Sequence, residues 1–236
     1  MTKEEFKRKT NEKGLVLSDR QLDQLDTYAV FLKEYNEKIN LTAITGYEEV
    51  LDKHFYDSLL GFFDLDMKGS LADIGSGAGF PGVVLKIAYP DLHVCLIEPI
   101  AKRCVFLKEL TAKLELEDIE VINMRAEDYA MENREVFDYV TARAVSSLNI
   151  LIEICGALLR EGRYFVALRG MNGLNEIKEA DRAIRTMGLN VEKTKEEELF
   201  DGSKRVIAYL KKTVKSPKKY PRKYSIIKQK PLGVRY

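Results

Sequence analysis

Cysteine is scarce in this chain of 236 residues, acid is missing from its last stretch, and long apolar runs are absent. The three cysteines, Cys95, Cys104 and Cys155, are odd in number and form no C-x-x-C pair. That argues against a disulfide framework and against a zinc site. No apolar run approaches membrane-spanning length, and the N-terminus Met1-Thr2-Lys3-Glu4-Glu5-Phe6 lacks the apolar stretch of a signal peptide. The expectation is a cytoplasmic, reducing setting with no membrane partner, no metal and a monomeric working state. No Asp or Glu follows Asp201, while ten Lys or Arg lie from Lys211 onward. The remaining 28 basic residues face 37 acids, so residues 1–210 carry about −9 and the tail +10 by formal counting. A basic arm on an acidic body points to a polyanion partner such as nucleic acid.

What is present is enough for a core: hydrophobic residues make up 45% of the chain, and its length suits one large α/β domain or a main domain with an appendage. Ser18-Asp19-Arg20-Gln21 reads as a capping box. Behind it, Leu22, Leu25, Tyr28, Ala29, Leu32, Tyr35 and Ile39 recur at helical spacing. A second helix is predicted over about 48–63. From Ser70 the rhythm becomes strand–helix alternation, with strands predicted at 71–74, 93–97, 120–124, 137–141, 164–168, 190–194 and 206–211. Helices are predicted at about 82–89, 100–113, 147–159 and 174–187. The last two strands follow each other without a helix and should pair antiparallel. The expected architecture is a Rossmann-like, mostly parallel seven-stranded sheet (70–211), a helical N-terminal segment (1–69) and a basic, flexible tail (212–236).

The most telling stretch is Leu71-Ala72-Asp73-Ile74-Gly75-Ser76-Gly77-Ala78-Gly79-Phe80-Pro81-Gly82, where an apolar run meets four glycines in eight residues. Such a turn lets backbone approach a ligand closely and offers free N–H groups at a helix start. Gly77–Gly82 also matches the G-x-G-x-x-G dinucleotide fingerprint, so a nicotinamide-dependent oxidoreductase is one reading. Asp73 before the turn suits a cationic amino-acid group better than a pyrophosphate. Glu98, ending the second strand, can accept both hydroxyls of a ribose under either reading. Arg125-Ala126-Glu127-Asp128, after the third strand, stands where an adenine edge would lie. Together these favour S-adenosylmethionine and a class I methyltransferase.

These residues resemble a known family. Asp73–Gly82 is similar to the Asp-(Ile/Val)-Gly-(Ser/Thr)-Gly-x-Gly-(Phe/Leu)-Pro-Gly signature of ribosomal RNA small subunit methyltransferase G, also called glucose-inhibited division protein B. Asn40-Leu41-Thr42, His54–Leu59, Lys102–Leu107, Arg125-Ala126-Glu127 and Ala142-Arg143-Ala144 follow in family order, so that the resemblance covers nearly all of 15–210. It implies methylation of guanine N7 in the decoding-region loop of 16S rRNA, on the small ribosomal subunit or an assembly intermediate. It also implies cofactor contacts from Gly75 and Phe80, from Glu98, from Ala126 and Glu127, and from Arg143; Asp73, Gly77 and Gly79 complete the candidate cradle. Where the family often has Lys-Gly after the fifth strand, this chain has Arg169-Gly170, which keeps the charge and changes the head-group geometry.

Guanine N7 presents a lone pair and carries no proton, so such an enzyme needs alignment more than a base. Consistently, Thr141-Ala142-Arg143-Ala144 replaces the Asn-Pro-Pro-Tyr type of motif used on exocyclic amines, and Cys155 lies in an apolar helix unsuited to a nucleophile. No catalytic residue is assigned; Arg143 is the candidate for positioning cofactor, guanine or phosphate. His54 and Asp57 share a helix face and are expected to order the N-terminal lobe. Arg169 and the tail residues Lys218, Lys219, Arg222 and Lys223, interleaved with Tyr220, Tyr224 and Tyr236, are the candidate RNA contacts. A small-molecule or protein methyltransferase and a non-catalytic RNA-binding protein remain open as alternatives.

Overall fold

The computed structural model describes residues 1–143 and 146–234. Ala144 of the 142–144 motif, Val145, the tail cation Arg235 and Tyr236 lie outside the described residues. Two helices open the chain, α1 (Lys3–Glu12) and α2 (Asp19–Asn36). A continuous helical stretch follows, as α3 (Tyr47–Val50), a π-helical turn (Leu51–Tyr56) and α4 (Asp57–Leu59). The α/β body then runs β1 (Ser70–Ile74), α5 (Gly82–Ala88), β2 (His93–Ile97), α6 (Ala101–Lys113), β3 (Ile119–Ile122), α7 (Ala126–Glu132), β4 (Phe137–Arg143), α8 (Leu148–Leu158) and β5 (Leu159–Arg169). It ends with α9 (Gly173–Glu179), α10 (Asp181–Thr186), β6 (Leu189–Glu198), β7 (Lys204–Lys212) and α11 (Tyr224–Gln229).

The seven strands form one sheet in the order β3-β2-β1-β4-β5-β7-β6. β1 to β5 are parallel, and β7 inserts antiparallel between β5 and β6. The order reverses at β1, so the crevice for a ligand opens beyond the carboxyl ends of β1 and β4. Apolar clusters cover both faces of the sheet. One combines the N-terminal helices with α5 and α6, through Phe6, Leu25, Leu32, Leu71, Val83 and Phe106. The other is built on α8 and α10, around Ile152, Phe165, Ile184 and Leu210.

Local signals explain most element boundaries. In the Ser18 capping box, the Gln21 N–H donates to Ser18 Oγ at 3.3 Å and the Ser18 N–H donates to Gln21 Oε1 at 2.8 Å. Helix α2 stops at Asn36, earlier than the apolar spacing suggests, because Asn36 Oδ1 accepts the N–H groups of Leu41 (2.8 Å) and Thr42 (3.0 Å). The single helix expected over 174–187 is two, α9 and α10, meeting at Ala180. Helices α1, α7 and α11 were not expected; α1 has a capping box of its own, with Thr2 and Glu5.

The C-terminal segment corrects the expectation of a flexible tail. β7 runs into it at Lys212, whose ammonium is fully buried and donates to the carbonyls of Gly156 and Met187 and to Ser216 Oγ. Burial draws that ammonium down to about 8. Arg134 donates to the carbonyls of Ser216 and Tyr220, and Tyr220 and Ile227 are buried. Glu153, wholly buried on α8, takes the Arg222 guanidinium at 2.7 Å and the Arg222 backbone N–H at 2.7 Å. The periodicity missed this because the segment is held by single polar anchors and one short helix, with no amphipathic repeat. Arg222→Ala strands the Glu153 carboxylate and should cost about 3–5 kcal/mol in urea unfolding, while the double change Arg222→Met with Glu153→Leu should recover most of it.

Candidate active site

The glycine turn links β1 to α5 and is shaped by close backbone approach. Gly75, Gly77 and Gly79 take positive φ (70°, 58° and 95°). A Cβ at Gly79 would come within 2.6 Å of the Tyr28 hydroxyl, and one at Gly82 within 2.4 Å of Leu96 Cδ2. The turn can therefore only lie against α2 and β2 as glycine. Tyr28, fully buried, donates its hydroxyl to the Ala78 carbonyl and stacks on Phe80 with centroids 5.3 Å apart. In this way the N-terminal helices hold the turn from behind. Nothing in the sequence singled out Tyr28 from its apolar helix face.

Two cavities meet the turn. One, about 330 Å³, lies over Gly75–Ala78 and Phe80, with Glu98, Arg103 and Arg143 in its wall. The other, about 390 Å³, lies beyond Gly75 toward the end of β3, lined by Ala126 and Glu127 over an apolar floor that includes Ile97 and Ile150. Both are of the size that binds small ligands and cofactors. Glu98, 1% exposed, accepts the N–H groups of Gly77 and Ile100, each at 2.9 Å, and has Arg103 at 3.8 Å. Glu127 is buried and paired with Arg125.

Asp73 is placed differently from the expectation that it faces a ligand. It lies wholly buried beneath the turn, where its Oδ2 accepts the Gly82 N–H at 2.9 Å and caps the start of α5. Its Oδ1 is buried with no hydrogen-bond partner among the described residues. Burial pushes its carboxyl from the ordinary 3.8 up to about 7, against the pull of the Gly82 N–H and Arg143.

A third cavity, about 550 Å³, opens outside the ends of β4 and β5. Its wall holds Lys53, His54, Asp57, Arg143, Arg169 and Arg205, so four cations face one carboxylate. Arg143 and His54 line both this cavity and the one over the turn. Arg143 Nη1 donates to Asp57 Oδ2 (3.0 Å) and to the Lys53 carbonyl (3.1 Å), Nη2 contacts His54 Nδ1 (3.2 Å), and the guanidinium lies 4.9 Å from the Phe80 ring centroid. Asp57 also accepts from Arg205 Nε at 2.8 Å. The π-helical turn places His54 for this contact and delivers Asp57 just after it. His54 stacks on Phe80 at 4.3 Å, and burial and Arg143 pull its ring down to about 3, so the imidazole is neutral. His54 Nδ1 meets both Arg143 Nη2 and, at 3.1 Å, the Lys53 carbonyl, and Nε2 lies 2.9 Å from Thr42 Oγ1.

Most of the sequence-predicted residues converge here: Gly75, Gly77, Phe80, Glu98, Ala126, Glu127 and Arg143 line the first two cavities, and Arg169 the third. Arg169 is paired with Glu176, and its Nε is buried without a partner among the described residues. Lys218, Lys219, Arg222 and Lys223 line none of the three; the three lysines are exposed and Arg222 is bound to Glu153. Lys53 and Arg205 are cavity residues that sequence reasoning missed, and Tyr224, expected among the RNA contacts, lines the cavity at Ala126 instead, because each reaches its cavity only through tertiary packing.

Solved structures with this fold include the YcgJ protein of Bacillus subtilis (TM-score 0.54, 11% identity, 68% of this chain and 100% of that one). A second is M. jannaschii TYW2 in complex with AdoMet (TM-score 0.52, 14% identity, 66% and 74%). Fold and site together define a class I S-adenosylmethionine-dependent methyltransferase, and the nicotinamide reading of the Gly77–Gly82 match is set aside. The Glu98 carboxylate in the wall of the cavity over the turn and the apolar cavity at Ala126 fit that cofactor. Residues 21–214 match the family described as rRNA small subunit methyltransferase G, and the chain belongs to it. It is 40% identical to ribosomal RNA small subunit methyltransferase G of Lysinibacillus sphaericus (98% of this chain, 100% of that protein). The counterpart of Brevibacillus brevis is 42% identical over the same shares. Its activity is methyl transfer to small-subunit rRNA. No metal-binding cluster occurs, and no helix is long and apolar enough to cross a membrane, among the described residues.

Because the fold favours protonated Asp73, its contribution to stability is present below 3.8 and is lost as pH rises to about 7. Asp73→Asn keeps an acceptor for Gly82 and removes the titration. Urea unfolding between about pH 4 and pH 7.5 should show the variant gaining on the wild type by up to about 4 kcal/mol, in that direction only. Parallel pH profiles would sink this assignment.

Proposed function

We propose that this enzyme methylates N7 of a guanine in the decoding-region loop of 16S rRNA, in the cytoplasm, on the small subunit or an assembly intermediate. One observation carries the reading. The cavity over the glycine turn and the cation-lined outer cavity share Arg143 and His54, and neither offers a free base at that junction. Both ring nitrogens of His54 are occupied, Nδ1 by Arg143 and the Lys53 carbonyl and Nε2 by Thr42 Oγ1, and Asp57 is bonded to two arginines. An exocyclic amine must shed a proton during transfer; guanine N7 has none to shed. The site suits a nucleophile that needs only alignment.

Bound S-adenosylmethionine supplies an electrophilic methyl carbon on a sulfonium. Glu98 is placed to accept the ribose hydroxyls, and Ala126 with Glu127 to receive the adenine edge. Arg143 spends three of its five N–H donors on Asp57, Lys53 and His54, which leaves two for a ligand oxygen in either cavity. A guanidinium fixed on four sides costs little reorganisation when the substrate arrives. Lys53, Arg169 and Arg205 give the outer cavity the charge to receive an RNA backbone, and the exposed Lys218, Lys219 and Lys223 extend that attraction.

Labelled methyl transfer to 30S subunits lacking the modification, followed by strand cleavage at N7-methylguanine, should give one cut in the decoding-region loop. Label without that cleavage would overturn the N7 assignment. Arg143→Lys keeps the charge but loses the fork, and kcat/KM should fall about 100-fold on the same substrate. An unchanged rate would remove Arg143 from the site.

A further inference from the structure

We propose that the C-terminal segment completes the adenosine end of the cofactor site, with Tyr224 as the aromatic wall against which the base lies. This rests on the reading that places the cofactor's base beside Ala126 and Glu127. Tyr224 stands ten residues past the last family-matched position, residue 214. It nevertheless lines the same cavity of about 390 Å³ as Ala126 and Glu127. Its ring carries the Arg125 guanidinium at 3.9 Å, and Arg125 Nε in turn donates to the buried carboxylate of Glu127. Glu127, Arg125 and Tyr224 thus form one connected wall at the end of β3. The same cavity is also lined by the apolar Ile97, Ile150 and Leu151. A cavity lined by aliphatic side chains and a tyrosine ring suits a flat heteroaromatic base.

The segment is built to hold Tyr224 there. The Glu153 carboxylate is buried in the middle of α8, one turn from Ile150 of the slot, and its hydrogen bonds run to Arg222. A charge buried in an apolar helix is sustained only while that partner is docked. On the far side of Tyr224, Ile227 is fully buried. Tyr224 is fixed between these two anchors, two residues from one and three from the other. Tyrosines of this segment were read from sequence as platforms for unpaired RNA bases; the placement of Tyr224 in the cofactor cavity assigns it instead to the cofactor.

Calorimetric titration of the full-length protein with S-adenosylhomocysteine and with 5′-methylthioadenosine, which keeps the adenosine and lacks the amino acid, tests this. Tyr224→Ala should weaken both ligands by a similar factor of about ten, the scale of one base–aromatic stack. Tyr224→Leu keeps apolar bulk without a π face, should lose a similar factor, and serves if the alanine variant does not fold. Ala126→Leu, which fills the slot, should weaken both ligands as well. Binding within twofold of wild type in the Tyr224 variants, including the case in which only rRNA affinity falls, overturns the role of the segment. If Ala126→Leu weakens binding in that case, the adenosine placement survives alone. Unchanged binding in Ala126→Leu overturns that placement and the proposal with it.

Discussion

The guanidinium of Arg143 is the point at which the two parts of the molecule are tied. It sits at the end of β4, and its donors go to Asp57, His54 and the Lys53 carbonyl, all from the helical segment that precedes the sheet. A nearly buried arginine is tolerable only because those acceptors and the Phe80 ring receive it. Burial, with Arg143 beside it, keeps His54 neutral, and Asp57 is held between two arginines. The junction of the outer cavity and the cavity over the turn is therefore a preorganised polar cluster.

The glycine turn depends on the same helical segment from the other side. Tyr28 binds the Ala78 carbonyl and stacks on Phe80, and Phe80 in turn carries His54. Pressed between α2 and β2, the turn has room for hydrogen alone at Gly79 and Gly82. Its amides are consumed on carboxylates, Gly77 on Glu98 and Gly82 on Asp73. Buried acids thus brace the backbone of the cradle, at the cost of a carboxyl in Asp73 that resists ionisation.

Most of the architecture was legible from residue order. The short apolar runs, the helical stretches between them and the missing helix before the last strand are local properties, and they predict the seven strands and the antiparallel ending. That Gly75, Phe80, Glu98 and Ala126 gather around the cavities at the glycine turn was legible for a related reason. In a parallel sheet each follows a strand end, so chain order maps directly onto one crevice. The segment after Lys212 was not legible. Its fold rests on Lys212, Arg134 and Arg222, each a single cation whose partner lies 25 to 86 residues away, and formal charge counting treats such cations as solvated.

The sequence by itself determined the fold class, the glycine turn and the family, because these follow from short-range spacing of glycine, acid and apolar residues along the chain. Only the tertiary structure decided what the polar side chains do. It turned Asp73 inward beneath the turn, joined His54 and Asp57 to Arg143, and folded a basic tail onto the cavity beside Ala126 and Glu127. The physical reason is that a charge buried in a protein is governed by whichever partner reaches it. That partner is chosen by packing across the whole chain, which no local pattern encodes.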